Sequence, residues 1–319
     1  MIQQLHAAWR ARRVLLIGSA DRMSLFMQAL LDELGAKAAR IAPPCADETL
    51  HLSLSQGRIS AIIVPGMRHL ASGGVSEYLA ALSTLLTEVR EAGVPLVILL
   101  SDDGVYRASG GPWYAQESDP IGGETPQGLI ESLLEIYADG VSRGLLGDPV
   151  RTLCVRHLPC LGCGHPAAAP YSAWCRAAAQ NLPLSVPHPG AQGVFVHPLD
   201  ACCGALLLGA RFFLGDAACT GAFNLGVCPG NLILNRSAAL RFASAHHLTH
   251  PLRESEPPGA IALPIPDGAR ARLLCGARCQ IPGEEALEQL FALEQAQGFD
   301  AQQQEMRAQT QAYLERLCQ

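Results

Sequence analysis

Short apolar runs alternate with helical patterns over the first third of this chain. The runs occupy residues 14–17, 38–42, 59–64 and 96–100. Between them, 25–34 and 75–92 carry apolar side chains three and four residues apart, which is the spacing of one helix face. Strands that alternate with helices form parallel sheets through right-handed crossovers. We therefore expect an α/β fold built on a doubly wound parallel sheet.

The sequence changes in character near residue 150. A helix is predicted at 126–140 and a strand at 152–156, after which short apolar runs and many prolines follow. Further strands are predicted at 184–186, 194–197 and 222–225, and helices at 199–212 and 283–317, the last with a break near Gln297. We expect two parts, 1–150 and 151–319, with elements of the second interleaved back onto the first.

Charge and cysteine content restrict the partners and the location of the protein. The net charge of −6 over 319 residues argues against a surface dedicated to nucleic acid. No apolar run approaches the length of about 18 residues that suggests a membrane span. The short run 14–17 near the N-terminus is a strand rather than a signal peptide. Without an export signal, the 12 cysteines are expected to be reduced thiols in the cytoplasm.

Lysine is almost absent from the chain. Lys37 is the only lysine among 23 basic residues, and all the others are arginines. Genome composition is the ordinary explanation for such a bias. The chemical consequence is the same whatever the cause, because any reaction that requires a lysine must use Lys37.

Several fragments occur in the order and at the spacings of one enzyme family. They are VLLIG ending at Gly18, SDDGVY from Ser101, ESDPIGG from Glu117, VRHLPCLGCG from Val155, VFVHPLDACCGALLLG from Val194, FNLG from Phe223 and DGARARLLCGARCQIPGEEAL from Asp267. Together they resemble the extended short-chain dehydrogenase/reductase family, the NAD(P)-dependent nucleotide-sugar epimerases and dehydratases. The ESDPIGG segment looks most like the CDP-glucose 4,6-dehydratase branch.

The resemblance carries expectations about architecture and partners. It implies a Rossmann-like nucleotide-binding domain over 1–150 and a smaller, mainly substrate-binding lobe over 151–319. It implies NAD or NADP as cofactor and a nucleotide or nucleotide sugar as ligand. It also implies a homodimer formed through the helices at 75–92 and 126–140, the first of which has a wide apolar stripe.

The resemblance also assigns catalytic positions, and most are altered. The family pairs a tyrosine with a lysine four residues later, and these positions hold Gln127 and Glu131. The family serine or threonine after the fourth strand is Asp102, which follows Ser101. Dehydratases add two acids; Asp103 matches the first, and a glycine replaces the second. Proton transfer from a substrate hydroxyl needs a base of suitable pKa, which neither Gln127 nor Glu131 supplies in the family's manner.

An alternative reading of the same residues stays open. Asp102, Asp103 and Glu131 form a new acidic cluster, suited to acid–base chemistry or to a metal ion. Against it stands the ordinary reading, in which these carboxylates are solvated or cap the loop.

The cofactor loop of the family keeps only its first glycine. The loop reads GSADRMS from Gly18, with Asp21 and Ser24 at the other glycine positions. A carboxylate at this loop repels a diphosphate, and an adjacent arginine compensates. A basic side chain at the end of the second strand would suit a 2′-phosphate. The candidate cofactor residues are Gly18, Ser19, Asp21, Arg22 and Arg40.

The substrate lobe gives mixed indications. The family asparagine that helps to hold substrate phosphates is Pro159 here, whereas His197 and Asp200 match a strand-to-helix junction with a structural role. Arg270 and Arg272 are the candidates for contact with a diphosphate.

A zinc site is the competing reading of one loop in this lobe. Cys160 and Cys163, followed by His165, have suitable ligand types, but a single such pair is weak evidence and we predict no metal.

Three hypotheses for function remain. The leading one is a degenerate member of this family that binds a nucleotide or nucleotide sugar, or acts as a regulatory or scaffold subunit, without hydride transfer. The second is an active enzyme of the same fold that uses Asp102, Asp103 and Glu131. The third is a structural subunit that dimerises with an active paralogue.

Overall fold

The computed structural model describes residues 1–42, 47–55, 57–67, 70–71, 73–107, 114–161, 169–216, 218–250, 252–256, 265–296 and 298–318. The strands are β1 (Arg13–Ile17), β2 (Lys37–Ile41), β3 (Ala61–Val64), β4 (Val97–Asp102), β5 (Tyr114–Ala115), β6 (Thr152–His157), β7 (Ser185–Pro187), β8 (Gln192–Val194), β9 (Gly221–Asn224), β10 (Leu232–Leu234), β11 (Arg253–Ser255) and β12 (Ile265–Pro266). The helices are α1 (Ile2–Trp9), α2 (Arg22–Glu33), α3 (Asp47–Ser55), α4 (Val75–Glu91), α5 (Pro126–Ser142), α6 (Ala169–Ala179), α7 (Pro198–Phe213), α8 (Asn235–Ala245), α9 (Ala269–Cys275), α10 (Gly283–Gln295) and α11 (Phe299–Cys318).

A parallel sheet of six strands organises the described part of the chain. Its order is β2-β1-β3-β4-β6-β9, and every neighbouring pair is parallel. Each of these strands lies at a predicted apolar run, with ends that differ by a residue or two, which confirms the predicted α/β fold class. Strands β6 and β9 come from the part of the chain after residue 150 and complete the sheet.

Helices cover both faces of the sheet, as parallel sheets require. Leu16 and Leu153 pack in one core with residues of α2 and α7. Leu15 and Leu99 face the other way and pack with residues of α4 and α5. Successive side chains of a strand point to opposite faces, so the continuous apolar runs of the sequence supply both cores.

The strand order locates a crevice at one edge of the sheet. The chain reverses its direction across the sheet between β1 and β3, and ligands of open α/β sheets bind at such a reversal, outside the carboxyl ends of the strands. Gly18 follows β1 and Pro65 follows β3 at this edge. The end of β4, with Ser101 and Asp102, lies beside them.

The N-terminal helix α1 was not predicted from the sequence. It packs against α7, where Trp9 donates a hydrogen bond from Nε1 to the carbonyl oxygen of Leu206 at 2.9 Å. A Cβ atom at Gly209 would lie 2.6 Å from the Trp9 ring, so only glycine fits beneath the indole. Within the described residues, no helix is long and apolar enough to cross a membrane.

The second lobe is tied together by a buried carboxylate at the start of α7. Oδ1 of Asp200 accepts hydrogen bonds from the backbone N–H of Gln280 at 2.7 Å and from the Tyr313 hydroxyl at 2.8 Å. His197 caps the same helix and accepts a hydrogen bond from the N–H of Leu199. The strand predicted at 194–197 lies earlier, at Gln192–Val194, and His197 belongs to the start of α7 as its cap.

Candidate functional site

The carboxyl end of β4 and the first turns of α5 meet at the crevice. A Cβ atom at Gly128 would lie 2.1 Å from the carbonyl oxygen of Gly104, and one at Gly123 would lie 2.2 Å from the same oxygen. No side chain fits at either position without a shift of the backbone. The two glycines thus allow the loop after β4 to press directly against the helix.

The start of α5 follows from ordinary helix signals. Thr125 caps the helix by accepting a hydrogen bond from the N–H of Gly128 at 3.0 Å, and Pro126 occupies the first turn. Residues four apart lie on one helix face, so Gln127 and Glu131 are stacked one above the other. That face is directed at the end of β4.

The Glu131 carboxylate is buried and held from three sides. Its Oε1 accepts a hydrogen bond from Nε2 of Gln127 at 2.6 Å. Its Oε2 accepts from the backbone N–H of Asp102 at 3.1 Å and from the hydroxyl of Ser101 at 3.3 Å. The residue is only 4% exposed. Burial raises the pKa of Glu131 to about 8, and the nearby Asp102 charge adds to the effect.

Asp103 adds a second perturbed carboxyl group to this site. It is buried, and neither of its carboxylate oxygens has a hydrogen-bond partner among the described residues. Burial, with a contribution from the charge of Asp102, raises the pKa of Asp103 well above its ordinary value. Asp102 itself accepts a hydrogen bond from the N–H of Gly104 at 2.7 Å. The cluster predicted from the sequence is therefore assembled, and burial raises the pKa of two of its members, Asp103 and Glu131.

Metal ligation was one reading of this cluster. Over the ranges that the structure describes, no group of three or more histidine, cysteine, aspartate or glutamate side chains is arranged to hold a metal ion. Cys163 and His165, the other ligand types considered, lie outside the described residues.

A second buried polar network lies one helical turn further along α5. Glu135 pairs with Arg156 of β6, with Oε2 at 2.9 Å from Nε and 2.7 Å from Nη2. Arg156 also donates to the Tyr106 hydroxyl at 2.8 Å, and that hydroxyl donates to Oδ1 of Asn224 at 2.7 Å. Sequence reasoning missed this network. The only signal was an acid at the fourth position after Glu131, on the same helix face.

The β1–α2 turn is occupied by its own side chains. Oδ1 of Asp21 accepts a hydrogen bond from the N–H of Ser24 at 2.9 Å and so caps α2. A Cβ atom at Gly18 would lie 2.5 Å from the hydroxyl of Ser24, which fills the space that the third family glycine leaves open. A carboxylate therefore sits where a diphosphate would meet the helix N-terminus.

The other predicted cofactor residues are spread around this turn. Ser19 is half-buried within it. Arg22 points to α10, where it forms an ion pair with Glu294. Arg40 is exposed on β2.

Arg270 and Arg272 lie apart on α9. Arg270 donates to the carbonyl oxygens of Ala222 at 2.6 Å and Thr220 at 3.4 Å, and its guanidinium lies 4.0 Å from the centroid of the Phe223 ring. Arg272 instead lines a separate cavity of about 350 Å³ beside Arg278. The two arginines are therefore not brought together as a pair for one diphosphate.

Comparison with known proteins bears on the fold alone. No protein-family model matches the chain, and no curated protein matches it. An epimerase from Methanothermobacter thermautotrophicus shares its structure with a TM-score of 0.73 at 15% identity, over 98% of this chain and 97% of the other. The chain has the fold of nucleotide-sugar epimerases and dehydratases.

Two further structures belong to the same group. A UDP-glucose 4-epimerase from Thermotoga maritima, solved with UDP-glucose, gives a TM-score of 0.68 at 14% identity, over 86% of this chain and 96% of the other. A dTDP-glucose 4,6-dehydratase from Streptomyces venezuelae, solved with NAD bound, gives 0.66 at 16% identity, over 89% and 97%. The likeness covers nearly all of each relative, so the whole fold is shared.

Proposed function

We propose that this protein binds a nucleotide or nucleotide sugar without turning it over, and serves as a regulatory or scaffold subunit. The observation that carries the proposal is the set of hydrogen bonds that the Glu131 side chain accepts. Its carboxyl group accepts hydrogen bonds from Gln127, Ser101 and the backbone of Asp102, so it locks α5 to β4. A group committed to three protein donors is poorly placed to exchange protons with a substrate hydroxyl.

The position of the single lysine supports the same proposal. Lys37 is the first residue of β2 and is exposed. The strands are parallel, so their amino ends lie at the edge of the sheet opposite the crevice. Lys37 therefore stands away from Gln127 and Glu131 and does not replace the catalytic lysine of the family.

Cofactor binding is proposed to be weak. NAD or NADP remains the cofactor that the resemblance implies, but Asp21 already occupies a helix N-terminal donor and adds a negative charge. CDP-glucose is the first sugar nucleotide to test, because the ESDPIGG segment looks most like that branch of the family.

A homodimer through α4 and α5 is part of the proposal. The two helices contact each other, and Leu129 and Ile136 on α5 are 45% and 56% exposed. Exposed apolar side chains on one helix face suit a partner helix. Light scattering during size-exclusion chromatography would give the mass; a monomer at all concentrations contradicts this part.

Location and organisation complete the proposal. We place the protein in the cytoplasm, because cysteines in the described part are free thiols, most of them buried. We keep 1–150 as the nucleotide-binding part and 151–319 as the substrate lobe, with β6, α7 and β9 interleaved onto the first sheet.

The deciding experiment separates binding from turnover. Calorimetric titrations with NAD, NADP, CDP-glucose, UDP-glucose and dTDP-glucose measure binding, and chromatography of long incubations measures products. We expect saturable binding of a nucleotide or nucleotide sugar and no product. Turnover of a sugar nucleotide with NAD contradicts the proposal, and so does the absence of binding by every ligand.

An acid–base enzyme is the second candidate, favoured by one observation. Asp103 is a buried carboxyl group with no hydrogen-bond partner among the described residues, and an orphaned buried polar group requires an explanation. With Glu131, whose pKa is about 8, it offers a general acid near neutral pH. Product formation that disappears in Asp103→Asn and falls in Glu131→Gln would support this candidate. Product formation unaffected by Asp103→Asn would exclude it.

A further inference from the structure

Two cysteines that are distant in the sequence lie side by side in the second lobe. Cys228 follows β9, and Cys279 lies between α9 and α10, 51 residues further along the chain. The Cys228 thiol donates a hydrogen bond to the carbonyl oxygen of Cys279 at 3.2 Å. The Cys279 thiol donates to the carbonyl oxygen of Gly226, two residues before Cys228, at 3.4 Å. Each sulfur therefore lies against the backbone of the segment that carries the other.

Buried polar side chains fix both segments in this arrangement. Oδ1 of Asn231 accepts a hydrogen bond from the backbone N–H of Cys228 at 3.2 Å. Nδ2 of the same Asn231 donates to the carbonyl oxygen of Ile281 at 2.9 Å, so one side chain ties the two segments together. The carboxylate of Asp200 accepts from the backbone N–H groups of Gln280 and Ile281. The framework of the lobe, rather than a contact between surface loops, brings the two cysteines together.

Both thiols are accessible from a cavity of about 350 Å³ that they help to line. The two side chains are half-buried, unlike most of the cysteines that the structure describes. The charged side chains in the lining of the cavity are Arg272, Arg278 and Asp267. Two arginines against one carboxylate give the cavity a net positive charge, which attracts anions and favours a thiolate over a thiol.

We propose that Cys228 and Cys279 form a reversible disulfide, with a small anionic disulfide such as oxidised glutathione as the oxidant. The Cys228 thiolate attacks one sulfur of the oxidant, so a mixed disulfide forms at Cys228 and one reduced thiol leaves. The Cys279 thiolate then attacks the Cys228 sulfur, and the second reduced thiol leaves. The two cysteines lose two electrons and two protons, which the two released thiols carry. Oxidation links two walls of the cavity and uses no nucleotide, so the inference goes beyond the proposed function.

The order of attack follows from the surroundings of Cys279. Burial, with a contribution from the charge of Asp200, raises the pKa of Cys279 well above its ordinary value. A hydrogen bond from the backbone of Cys228 acts in the opposite direction but is the smaller effect. The thiolate is the species that attacks a disulfide. Cys279 is therefore the resolving residue, which attacks once the mixed disulfide at Cys228 is within its reach.

The test equilibrates the full chain with reduced and oxidised glutathione in varied ratios, followed by an acid quench and alkylation of the free thiols. Trypsin cleaves after arginine, so Cys228 lies in the peptide 212–236 and Cys279 in the peptide 279–307. Mass spectrometry measures the linked pair, and fragmentation distinguishes Cys228 from Cys219 in the first peptide. Cys318→Ser, which removes an exposed thiol on α11, is the matched control.

The linked peptides should increase with the proportion of oxidised glutathione and disappear when reduced glutathione is restored. The circular dichroism of the folded protein should be retained throughout, and Cys318→Ser should behave like the wild type. The inference is overturned if the linked peptides are absent from the folded protein at every ratio, if they form only in urea, or if glutathione attaches to Cys318 alone.

Two single variants test the order of attack. In Cys279→Ser the mixed disulfide has no resolving thiol, so glutathione should accumulate on Cys228. We expect about tenfold more of this adduct than of the adduct on Cys279 in Cys228→Ser, because the buried thiol ionises less readily. Equal accumulation in the two variants would contradict the assigned order.

Discussion

The side-chain amide of Gln127 donates a 2.6 Å hydrogen bond to Oε1 of Glu131, one turn further along α5. By resemblance, these two positions hold the tyrosine and lysine of nucleotide-sugar epimerases. The stacking on one helix face is kept, but the pair now binds internally and to the end of β4. In this structure the pair joins α5 to the end of β4.

Replacing Glu131 should show how its burial affects the free energy of unfolding. Its pKa is raised from 4.5 to about 8, so the folded protein binds more protons than the unfolded chain between these values. The free energy of unfolding therefore falls as pH rises through this window, by at most about 5 kcal/mol. Glu131→Gln keeps the hydrogen bonds once the Gln127 amide is turned over. We expect it to be more stable than the wild type at pH 8 and similar at pH 4.5, measured by urea unfolding. A variant that is equally destabilised at both pH values contradicts this.

Gly128→Ala should be strongly destabilising. The new Cβ atom would meet the carbonyl oxygen of Gly104 at 2.1 Å, and both partners are backbone that must move. We expect a loss of about 1–3 kcal/mol in the free energy of unfolding. Gly190→Ala is the control, because nothing lies within 4 Å of its Cβ position. Equal unfolding midpoints in urea for the two variants would show that the loop and helix are not in contact.

Removing Asp21 should improve binding of a dinucleotide. Asp21→Asn keeps a helix cap and removes the charge, whereas Asp21→Gly also frees the N–H of Ser24. We expect the affinity for NAD to rise about threefold to tenfold, because charges at helix ends have effects of this size. Asp21→Gly should bind NAD most tightly, Asp21→Asn less tightly and the wild type most weakly. Calorimetry checks the order. Affinities that do not differ would show that the carboxylate is not the obstacle.

The Glu135–Arg156 pair offers a double-mutant test. Arg156→Met leaves a buried carboxylate unpaired and should cost about 3–5 kcal/mol. Adding Glu135→Leu removes the unpaired charge, so the double variant should recover most of that loss. Thermal and urea unfolding of the four proteins give the coupling energy. A double variant as unstable as the sum of the single variants would mean that the two groups do not interact.

Local periodicity was enough to predict the sheet and its main helices. Runs such as 14–17 and 96–100 are buried on both faces, and such strands are apolar without interruption. The resemblance, rather than local spacing, grouped Glu131 with Ser101 and Asp102, and Glu131 accepts hydrogen bonds from both of them.

Contacts between distant segments were not foreseen. Arg156 contacts Glu135 because β6 lies next to β4 beneath α5. The order of strands in a sheet cannot be predicted from the local spacing of apolar residues. The same holds for Trp9, whose helix reaches α7 across 197 residues of sequence. The Asp103 carboxylate lacks a hydrogen-bond partner among the described residues because of the residues that surround it in the fold. The amino-acid sequence does not indicate that this side chain is buried.

Arg270 and Glu117 have one more consequence for the sheet. Strand β9 is the last of the six, so no strand of the described residues lies on its outer side. Arg270 donates to the carbonyl oxygen of Ala222 in β9 and to that of Thr220 just before the strand, and Glu117 accepts from the N–H of Asn224. Unpaired strand edges recruit strands from other molecules and promote aggregation. Two charged side chains thus terminate the ladder, and they protect the protein from growing into a larger assembly through its own edge.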